Sequence, residues 1–432
     1  MSEQVSASMS IPGEDLHALR DEFPILSRQG RGGHPIAYLD AAATSQKPRE
    51  VIEAEASFYR DSNAAVHRGT HLLGDESTQI FEDGRQILAS FIGGRGDEIV
   101  WTKNATEGIN LLALGIGHAS LGRGGADSAS LRIGPGDRIV VTRAEHHANL
   151  VPWQELCART GAELAWIDLT PEGRLDLDTL GVITPNTRIV AFTHASNVTG
   201  AISPVDEVVA AARAVGALVV LDTCQSSAHM SVDVAALGVD AAVFSSHKML
   251  GPTGVGALWA KRDLLEALPP VLTGGSMVAW VRMESADYMP VPERFEAGSQ
   301  PVAQIAGWSA SLRYLAGIGM DRIAAHEEAL TAHLLEGIAS VPGVKILGPA
   351  QMGQRLGVVA FAVDGVHPHD VGQILDSADV AVRVGHHCAI PLHQFFGVRS
   401  STRASLSVTS TREDIDRLIE ALGTVRSYFK DV

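Results

Sequence analysis

The feature that most constrains this chain is an alternation, between residues 38 and 260, of short apolar runs rich in β-branched residues with longer amphipathic segments. The apolar runs are nearly uninterrupted, which is typical of strands buried on both faces. They predict strands at 98–101, 138–142, 164–167, 188–193, 218–222 and 241–245. The segments between them predict helices such as 205–215, which begins after Pro204 and ends before Gly216. We therefore predict an α/β fold whose mainly parallel sheet is covered by helices on both sides.

The pattern changes after about residue 310. A long helical stretch at 307–341 leads into strands predicted at 344–347, 357–363 and 381–384 and a terminal helix that begins at Arg412. A chain of 432 residues is long enough for a large domain and a smaller one. We predict an N-terminal arm (1–35), a large α/β domain (36–310) and a small α+β domain (311–432). The helical run at 15–22 is expected to pack on the small domain, and the Gly- and Ser-rich segment 119–136 is expected to be a surface loop.

Composition and charge exclude several functions. The formal net charge of −16 repels phosphate backbones, so nucleic-acid binding is not expected. We find neither an apolar stretch long enough to span a bilayer nor a basic segment followed by an apolar run at the N-terminus. Cys157, Cys224 and Cys388 have no spacing typical of a zinc site or a disulfide framework, so no metal is expected. Free thiols suit a reducing compartment, and we predict a cytoplasmic protein.

In open parallel sheets, ligands bind at the carboxyl ends of the strands, and two such ends carry reactive side chains. Lys248 follows the strand at 241–245, where an amine sheltered from water is available for imine chemistry. Asp222 ends the strand at 218–222, where a buried carboxylate can keep a pyridine nitrogen protonated, and Gln225 could donate a hydrogen bond to the ring's phenolic oxygen. The alternatives are a surface lysine in a loop and an aspartate that caps a helix.

A turn and a histidine complete this candidate site. The turn at 104–110 follows a strand and opens a helix, so its backbone N–H groups and the Thr106 hydroxyl form an anion site, or else an ordinary helix start with no ligand. His146 lies just past another strand end, where its ring could stack on a cofactor and move protons. A lone histidine is more often structural, so its assignment depends on the other residues.

Several motifs, in order along the chain, carry a family resemblance. They are YLD (38–40), VHRG (66–69), ATEGIN (105–110), EHHAN (145–149), SNV (196–198), LD (221–222), SSHK (245–248), RFEAG (294–298) and RVGHHCA (383–389). Together they resemble the class V aminotransferase-like family of fold-type I pyridoxal-phosphate enzymes, and within it the group II cysteine desulfurases of the SufS type, which include selenocysteine lyases. The resemblance covers about residues 38–418 and implies a seven-stranded sheet.

The resemblance implies a role for each matching residue. Lys248 would be the Schiff-base lysine, Asp222 the partner of the pyridine nitrogen and His146 the histidine that stacks on the ring. Other cofactor contacts would come from Gln225, Asn197, Thr106, Ala105, Ser245, His247 and Ser299. Ser299 stands where the family has a threonine that reaches the phosphate of the neighbouring subunit, which implies a homodimer. The substrate would be bound by Arg403 through its carboxylate and contacted by Asn197, His67 and Arg383.

Cys388 gives the implied reaction its specificity. Lys248 would remove the α-proton of L-cysteine, and the Cys388 thiolate would take the substrate sulfur as a persulfide, releasing alanine. The resemblance also implies transfer of this sulfur to an acceptor or scaffold protein of the Suf iron–sulfur assembly system. The alternatives are a buried structural thiol at Cys388, a selenocysteine lyase or another class V lyase, and a catalytically idle scaffold protein that kept the fold.

The sequence also departs from the family pattern. Val384 and Ala105 stand where threonines are usual, and Thr223 and Cys224 stand where glycine and alanine are common. The stretch at 407–411 and the long segment 119–136 differ as well. These departures leave the lysine, the aspartate and the cysteine in place. They therefore bear on substrate preference and turnover and not on the type of reaction.

Overall fold

The computed structural model describes residues 16–428. The strands in this part are β1 (Ala37–Tyr38), β2 (Ile99–Thr102), β3 (Arg138–Thr142), β4 (Glu163–Ile167), β5 (Thr187–Thr193), β6 (Leu218–Asp222), β7 (Ala241–Ser245), β8 (Gly256–Ala260), β9 (Val278–Val281), β10 (Ala286–Tyr288), β11 (Val344–Leu347), β12 (Val358–Val363), β13 (Val380–Ala381), β14 (Arg383–Gly385) and β15 (Ser401–Ser405).

The α-helices of the same residues alternate with these strands. They are α1 (Arg49–Ser57), α2 (Leu72–Phe91), α3 (Ala105–Ser120), α4 (Val151–Thr160), α5 (Val205–Ala214), α6 (Arg262–Ala267), α7 (Val302–Ile318), α8 (Met320–Ser340), α9 (Pro368–Ser377), α10 (Ile390–Phe395) and α11 (Arg412–Tyr428). Among the described residues, no helix is both long and apolar enough to cross a membrane.

The main sheet has seven strands in the order β2-β8-β7-β6-β5-β3-β4. Neighbouring strands pair in parallel except around β8, which is antiparallel to both β2 and β7. Both faces are buried, since along β5 Val190 and Phe192 pack into one apolar cluster while Ile189 and Ala191 pack into another. The predicted α/β class with a mainly parallel, seven-stranded sheet between helices is confirmed.

A second sheet lies towards the C-terminus, in the order β11-β12-β15-β14, and all of its pairs are antiparallel. Its core combines Phe361 of β12 with Leu334, Leu375 and Leu418 from α8, α9 and α11. β1 pairs in parallel with β13, so a segment from early in the chain is joined to this C-terminal unit.

The predicted strands at 138–142, 218–222 and 241–245 are found with the same bounds. The prediction missed β8, because this strand is antiparallel to both neighbours and follows β7 through a Gly- and Pro-containing turn with no α-helix between them, which breaks the strand–helix alternation. The predicted helix at 307–341 is two helices, α7 and α8, because Gly319 between them has φ of 94°. The strand predicted at 381–384 is divided between β13 and β14.

The segment predicted as a surface loop is only partly one. α3 extends to Ser120, residues 121–127 are exposed turns, and Ser128 and Leu131 are buried. In the predicted N-terminal arm, residues 1–15 lie outside the described residues, and Leu16–Glu22 forms a 3₁₀ helix. Arg20 pairs with Asp414 of α11 at 2.6 Å, and the rings of Phe23 and Tyr314 of α7 are 6.0 Å apart. The domain boundaries at 35 and 310 stay predictions.

Candidate active site

A cavity of about 360 Å³ lies at the carboxyl edge of the main sheet. Such a volume is within the range, roughly 300–1,000 Å³, of small-molecule sites. The predicted residues that line it are Ala105, Thr106, His146, Asn197, Asp222, Gln225, Ser245, His247, Lys248, Arg383, Cys388 and Arg403. The other lining residues are Ala42, Ala43, Asn104, Ala148, Thr193, Cys224 and His387, of which Asn104 belongs to the turn predicted as the anion site.

Lys248 is placed by a short turn at the end of β7. β7 ends at Ser245, and the 3₁₀ turn Ser246–Lys248 follows directly. Ser45, far away in sequence, fixes this turn: its hydroxyl donates to His247 O at 2.9 Å and accepts from Leu250 N–H at 2.8 Å. The floor of the lysine site is therefore built partly by the segment around Ser45, whose role no local pattern indicates.

Asp222 and His146 lie on the cavity beside Lys248. Asp222 is 5% exposed, and its Oδ1 accepts from Cys224 N–H at 3.0 Å, so it fastens its own loop as well as facing the cavity. Burial and the charge of Lys248 lower the pKa of His146 to about 4, while Asp222 acts in the opposite direction. His146 is therefore neutral at pH 7, and because its Nδ1 accepts from Ala148 N–H at 3.0 Å, its hydrogen is on Nε2.

The predicted anion site is the N-terminus of α3, a helix of 16 residues. Asn104 caps it by accepting from Glu107 N–H at 3.0 Å, and Ser245 Oγ accepts from Ala105 N–H at 3.0 Å. The turn is pressed against β8, where a Cβ added to Gly256 would lie 2.5 Å from Asn104 Cα. The amide and hydroxyl of Thr106 remain at the cavity, where the positive end of the helix dipole favours a phosphate.

Two arginines lie at the opposite side of the cavity. Arg403 is 2% exposed, and its Nη1 donates to Asn197 O at 2.8 Å. Asp40 lies between both guanidinium groups, with its Oδ2 2.7 Å from Arg383 Nη2 and its Oδ1 3.4 Å from Arg403 Nη2. Two cations thus share one carboxylate, which leaves one net positive charge for an anionic substrate group.

Cys388 lies in a backbone conformation that is unusual for its residue type. His387 and Cys388 have φ values of 49° and 55°, in the left-handed region that non-glycine residues rarely adopt. The loop is held by two hydrogen bonds from the main-sheet side: Asn197 Nδ2 donates to His387 O at 2.6 Å, and His147 N–H donates to Cys388 O at 2.7 Å. Such strain, held by surrounding contacts, is typical of functional sites.

The three cysteines differ sharply in their surroundings. Cys388 is exposed, whereas Cys157 and Cys224 are buried. Burial raises the pKa of Cys157 to about 11 and that of Cys224 well above its ordinary range. Both buried thiols stay protonated, so Cys388 is the thiol on this cavity that is placed to act as a nucleophile.

Of the two histidines that precede Cys388, only one faces the cavity. His387 is buried on the cavity, while His386 is exposed with its ring 5.6 Å from that of His147. Burial and the charge of Arg403 lower the pKa of His387 to about 2, so His387 is neutral and supplies no positive charge. Positive charge beside Cys388 comes from the arginines instead.

Two predicted residues lie elsewhere in this chain. His67 lines a separate cavity of about 230 Å³ and contacts Glu82, with Nε2 to Oε1 at 3.0 Å. Ser299 lines another cavity, of about 530 Å³. His67 precedes α2 and Ser299 precedes α7, and these two helices pack along each other. The prediction that His67 lines the substrate pocket is therefore not met within one chain, and the contact of Ser299 with a neighbouring subunit stays a prediction.

The cavity fits pyridoxal phosphate by its donor set. A lysine amine, a buried carboxylate and a helix N-terminus match the aldehyde, the ring nitrogen and the phosphate of that cofactor. Gln225 was predicted to donate to the ring oxygen; its Nε2 donates one hydrogen to Ala42 O at 3.0 Å, while its Oε1 is buried without a partner among the described residues. A buried amide with unused hydrogen-bonding capacity beside the cavity is consistent with a missing polar ligand.

Comparison with known proteins shows which enzyme family this chain belongs to. The family described as "Aminotransferase class-V" matches residues 37–418, and the chain belongs to this family. Its fold is therefore the fold-type I architecture of the pyridoxal-phosphate-dependent enzymes, as the motifs implied.

Individual relatives narrow the class. The chain is 50% identical over 422 residues to the probable cysteine desulfurase 2 of Mycobacterium leprae, which covers 98% of this chain and 99% of that protein. It is 47% identical over 417 residues to a probable cysteine desulfurase of Streptomyces coelicolor, covering 96% and 98%. Among solved structures, the apo cysteine desulfurase of Thermococcus onnurineus superimposes with a TM-score of 0.87 at 36% identity, covering 95% and 98% of the two chains. The cysteine desulfurase CsdA of Escherichia coli gives 0.86 at 34% identity, covering 96% and 100%.

Proposed function

We propose that this protein is a pyridoxal-phosphate-dependent cysteine desulfurase that converts L-cysteine to L-alanine and keeps the sulfur as a persulfide on Cys388. The observation that carries the proposal is that the exposed Cys388 thiol and Lys248 line one cavity, with the buried carboxylate of Asp222 on the same wall. This combination argues against an idle scaffold protein, because catalysis alone requires all three groups at one site.

The main-sheet side holds the cofactor and handles protons. Pyridoxal phosphate, when bound, supplies an electron sink for charge that develops at the substrate α-carbon. Thr106 and the N-terminus of α3 would hold its phosphate, and Asp222 would keep its ring nitrogen protonated. Lys248 would hold the cofactor covalently and, as a free amine, would remove the substrate α-proton. Neutral His146 would stack on the ring and could donate from Nε2.

The opposite side binds the substrate and receives the sulfur. Arg403 binds the substrate carboxylate, with Arg383 and Asn197 beside it. The Cys388 thiolate then attacks the substrate sulfur: an S–S bond forms, the C–S bond breaks, its electron pair passes to the substrate carbon and protons complete alanine. The unusual backbone at Cys388 aims the thiol into the cavity while leaving it exposed to a partner.

The subtype, the compartment and the partners are proposed from the family and from the exposure of Cys388. We place the protein among the SufS-type desulfurases, working in the cytoplasm as a homodimer in which Ser299 completes the neighbouring site. The exposed persulfide on Cys388 would pass to a sulfur-acceptor or scaffold protein of the Suf system for iron–sulfur cluster assembly.

The test is alanine and persulfide release from L-cysteine by the purified holoenzyme, beside Cys388→Ser and Lys248→Ala. The native protein should release alanine and carry one trappable persulfide, Cys388→Ser should keep the visible absorbance of the bound cofactor without persulfide, and Lys248→Ala should lose both. Equal alanine release by Cys388→Ser would refute the proposed role of Cys388. L-selenocysteine is the second substrate for the same assay.

A further inference from the structure

The main sheet opens beside the cavity, between the neighbouring strands β3 and β5. The paired residues of these two strands end at Val140 and Val190. Pairing of β3 with β4 and of β5 with β6 instead continues to the last residues of the two strands, Thr142 and Thr193. β3 leads on to β4 on one side and β5 to β6 on the other, so the opening lies where the direction of the connections reverses. In α/β sheets this is where ligands bind.

The side chain of Glu145 lies in this opening. It is 1% exposed, and its Oε1 accepts from Thr193 N–H at 3.0 Å and from the Thr142 hydroxyl at 2.5 Å. Its Oε2 accepts from Asn149 Nδ2 at 2.7 Å. One carboxyl group therefore joins the ends of β3 and β5 to the turn that follows β3. The proposed reaction gives Glu145 no role.

The directions of these hydrogen bonds are fixed by donors that cannot accept. The buried Trp153 indole N–H donates to Asn149 Oδ1 at 3.0 Å, so the amide nitrogen of Asn149 must face Glu145. The Thr193 N–H is likewise a donor alone. Burial raises the pKa of Glu145 to about 8, while its three donors act in the opposite direction. Of these donors only the Thr142 hydroxyl can also accept, so a proton on Glu145 would lie towards Thr142 and leave the other two bonds in place.

The turn that Asn149 closes contacts both sides of the cavity. Asn149 donates from its side chain to Glu145 and from its main chain to His146 O at 2.8 Å. Between these two anchors, His146 lines the cavity and His147 N–H donates to Cys388 O at 2.7 Å. A single turn therefore sets both the histidine on the lysine side and a bond that holds the Cys388 loop.

We propose that Glu145 and Asn149 are positioning residues for the reaction: their hydrogen bond holds the turn at 146–149 so that His146 stacks on the cofactor and the Cys388 loop stays at the cavity. The inference rests on the proposed function, in which His146 stacks on the cofactor ring and Cys388 receives the sulfur. Neither Glu145 nor Asn149 lines the cavity, so both act through the turn. No proton is transferred and no covalent bond changes at either residue.

Glutamine at position 145 cannot satisfy the same neighbours. Its amide nitrogen must face either Asn149 Nδ2 or Thr193 N–H, so two donors oppose each other. Turning Asn149 over would only bring its nitrogen against the Trp153 indole N–H. In Glu145→Gln/Asn149→Asp, by contrast, the glutamine amide donates to the new carboxylate, whose other oxygen accepts from Trp153. This exchange restores every bond and keeps one acid among these residues.

The test measures alanine release from L-cysteine and the visible absorbance of the bound cofactor in the purified holoenzyme. Glu145→Gln should lower kcat roughly 10- to 100-fold, because a small displacement of groups around the substrate has an effect of that size. The cofactor should still bind, with its absorbance maximum shifted because the stacked ring of His146 moves. Glu145→Gln/Asn149→Asp should recover most of the native kcat together with the native absorbance.

A second variant and a control accompany this test. Asn149→Leu removes the donor to Glu145 Oε2 and should lower kcat and shift the absorbance in the same way, so the test survives if Glu145→Gln does not fold. Gln154→Leu, at an exposed position of α4, is the matched control and should change neither.

A native kcat in folded Glu145→Gln would overturn the inference. A lowered kcat with unchanged absorbance, or without recovery in the double variant, would overturn it as well, because the pair would then serve folding alone. Failure of the proposed desulfuration would appear separately, as native holoenzyme that releases no alanine. The absorbance shift and its recovery would still test the position of His146 in that case.

Discussion

The two sides of the cavity are built in opposite ways. On the lysine side, Asp222 and Ser245 are the last residues of adjacent parallel strands, and Lys248 follows in a short turn. On the cysteine side, Cys388 lies in a loop that follows β14 of the smaller sheet, where two consecutive residues have positive φ and are held by hydrogen bonds from Asn197 and His147. The proposed cofactor site is thus built at the ends of buried strands, while the proposed sulfur acceptor, Cys388, lies in a loop with an unusual backbone conformation.

The largest expected effect comes from the lysine side. Lys248→Ala should lower alanine release by about a thousandfold or more, because both cofactor attachment and proton removal are lost. Alanine formation measured at saturating pyridoxal phosphate tests this. Persulfide formation should fall in parallel. A variant that keeps substantial desulfuration would show that the lysine side of the cavity does not carry out proton removal.

Asp222→Asn separates the two interpretations of that residue. Asparagine keeps an oxygen for Cys224 N–H, the bond that Asp222 Oδ1 makes at 3.0 Å, but removes the charge. We expect a loss of roughly 100-fold in kcat with a fold of nearly native stability, because the electron sink weakens. Thermal unfolding beside steady-state kinetics makes the measurement. Full activity would mean that Asp222 only caps its loop.

Gly256→Ala tests how rigidly the phosphate turn is built. A Cβ there would lie 2.5 Å from Asn104 Cα, so the turn or β8 must shift, at a cost of roughly 1–3 kcal/mol. We expect about tenfold weaker binding of pyridoxal phosphate. Gly134→Ala, with no atom within 4 Å of the added Cβ, is the matched control and should bind the cofactor normally. Equal affinities would contradict the close packing described for this turn.

The smallest effect concerns pH. Burial lowers the pKa of His146 and of His247 to about 4, below the ordinary value of 6.5. The unfolded chain therefore binds more protons than the folded one below about pH 6.5, and the free energy of unfolding should fall as the pH drops from 6.5 to 4. Thermal unfolding of the apoprotein across this range measures it. In His247→Gln the decline should be shallower; an unchanged slope would mean that His247 is not buried as described.

The sequence predicted the lysine side better than the cysteine side, for physical reasons. Strand ends are local: β6 and β7 have their predicted bounds, so Asp222 and Lys248 fall at one sheet edge by topology alone. Asp40, Ser45 and Ala42 could not be placed, because they contact cavity residues that are 183 or more positions away in the sequence. The opposed orientations of His386 and His387 depend on positive φ values that no periodicity reveals.

The family motifs predicted site residues that local sequence patterns could not, but they did not predict every buried polar residue beside the cavity. They identified Arg403 and Cys388, whose positions depend on the second sheet. They did not indicate Ser401 or His393, since a serine on a strand and a histidine on a short helix have no signature of their own. These two residues are connected to the cavity through side-chain contacts, since His393 Nε2 and His387 Nε2 lie 3.0 and 2.9 Å from Ser401 Oγ.

The central claim is that the lysine side and the cysteine side of the cavity act on one substrate molecule, whose sulfur passes to Cys388. The most direct measurement is mass spectrometry of the intact holoenzyme after a single turnover with L-cysteine, followed by peptide mapping. The account predicts one added sulfur atom located on Cys388, equimolar alanine, and no added sulfur in Cys388→Ser. Sulfur found on Cys157 or Cys224, or free sulfide released with Cys388 unmodified, would contradict it.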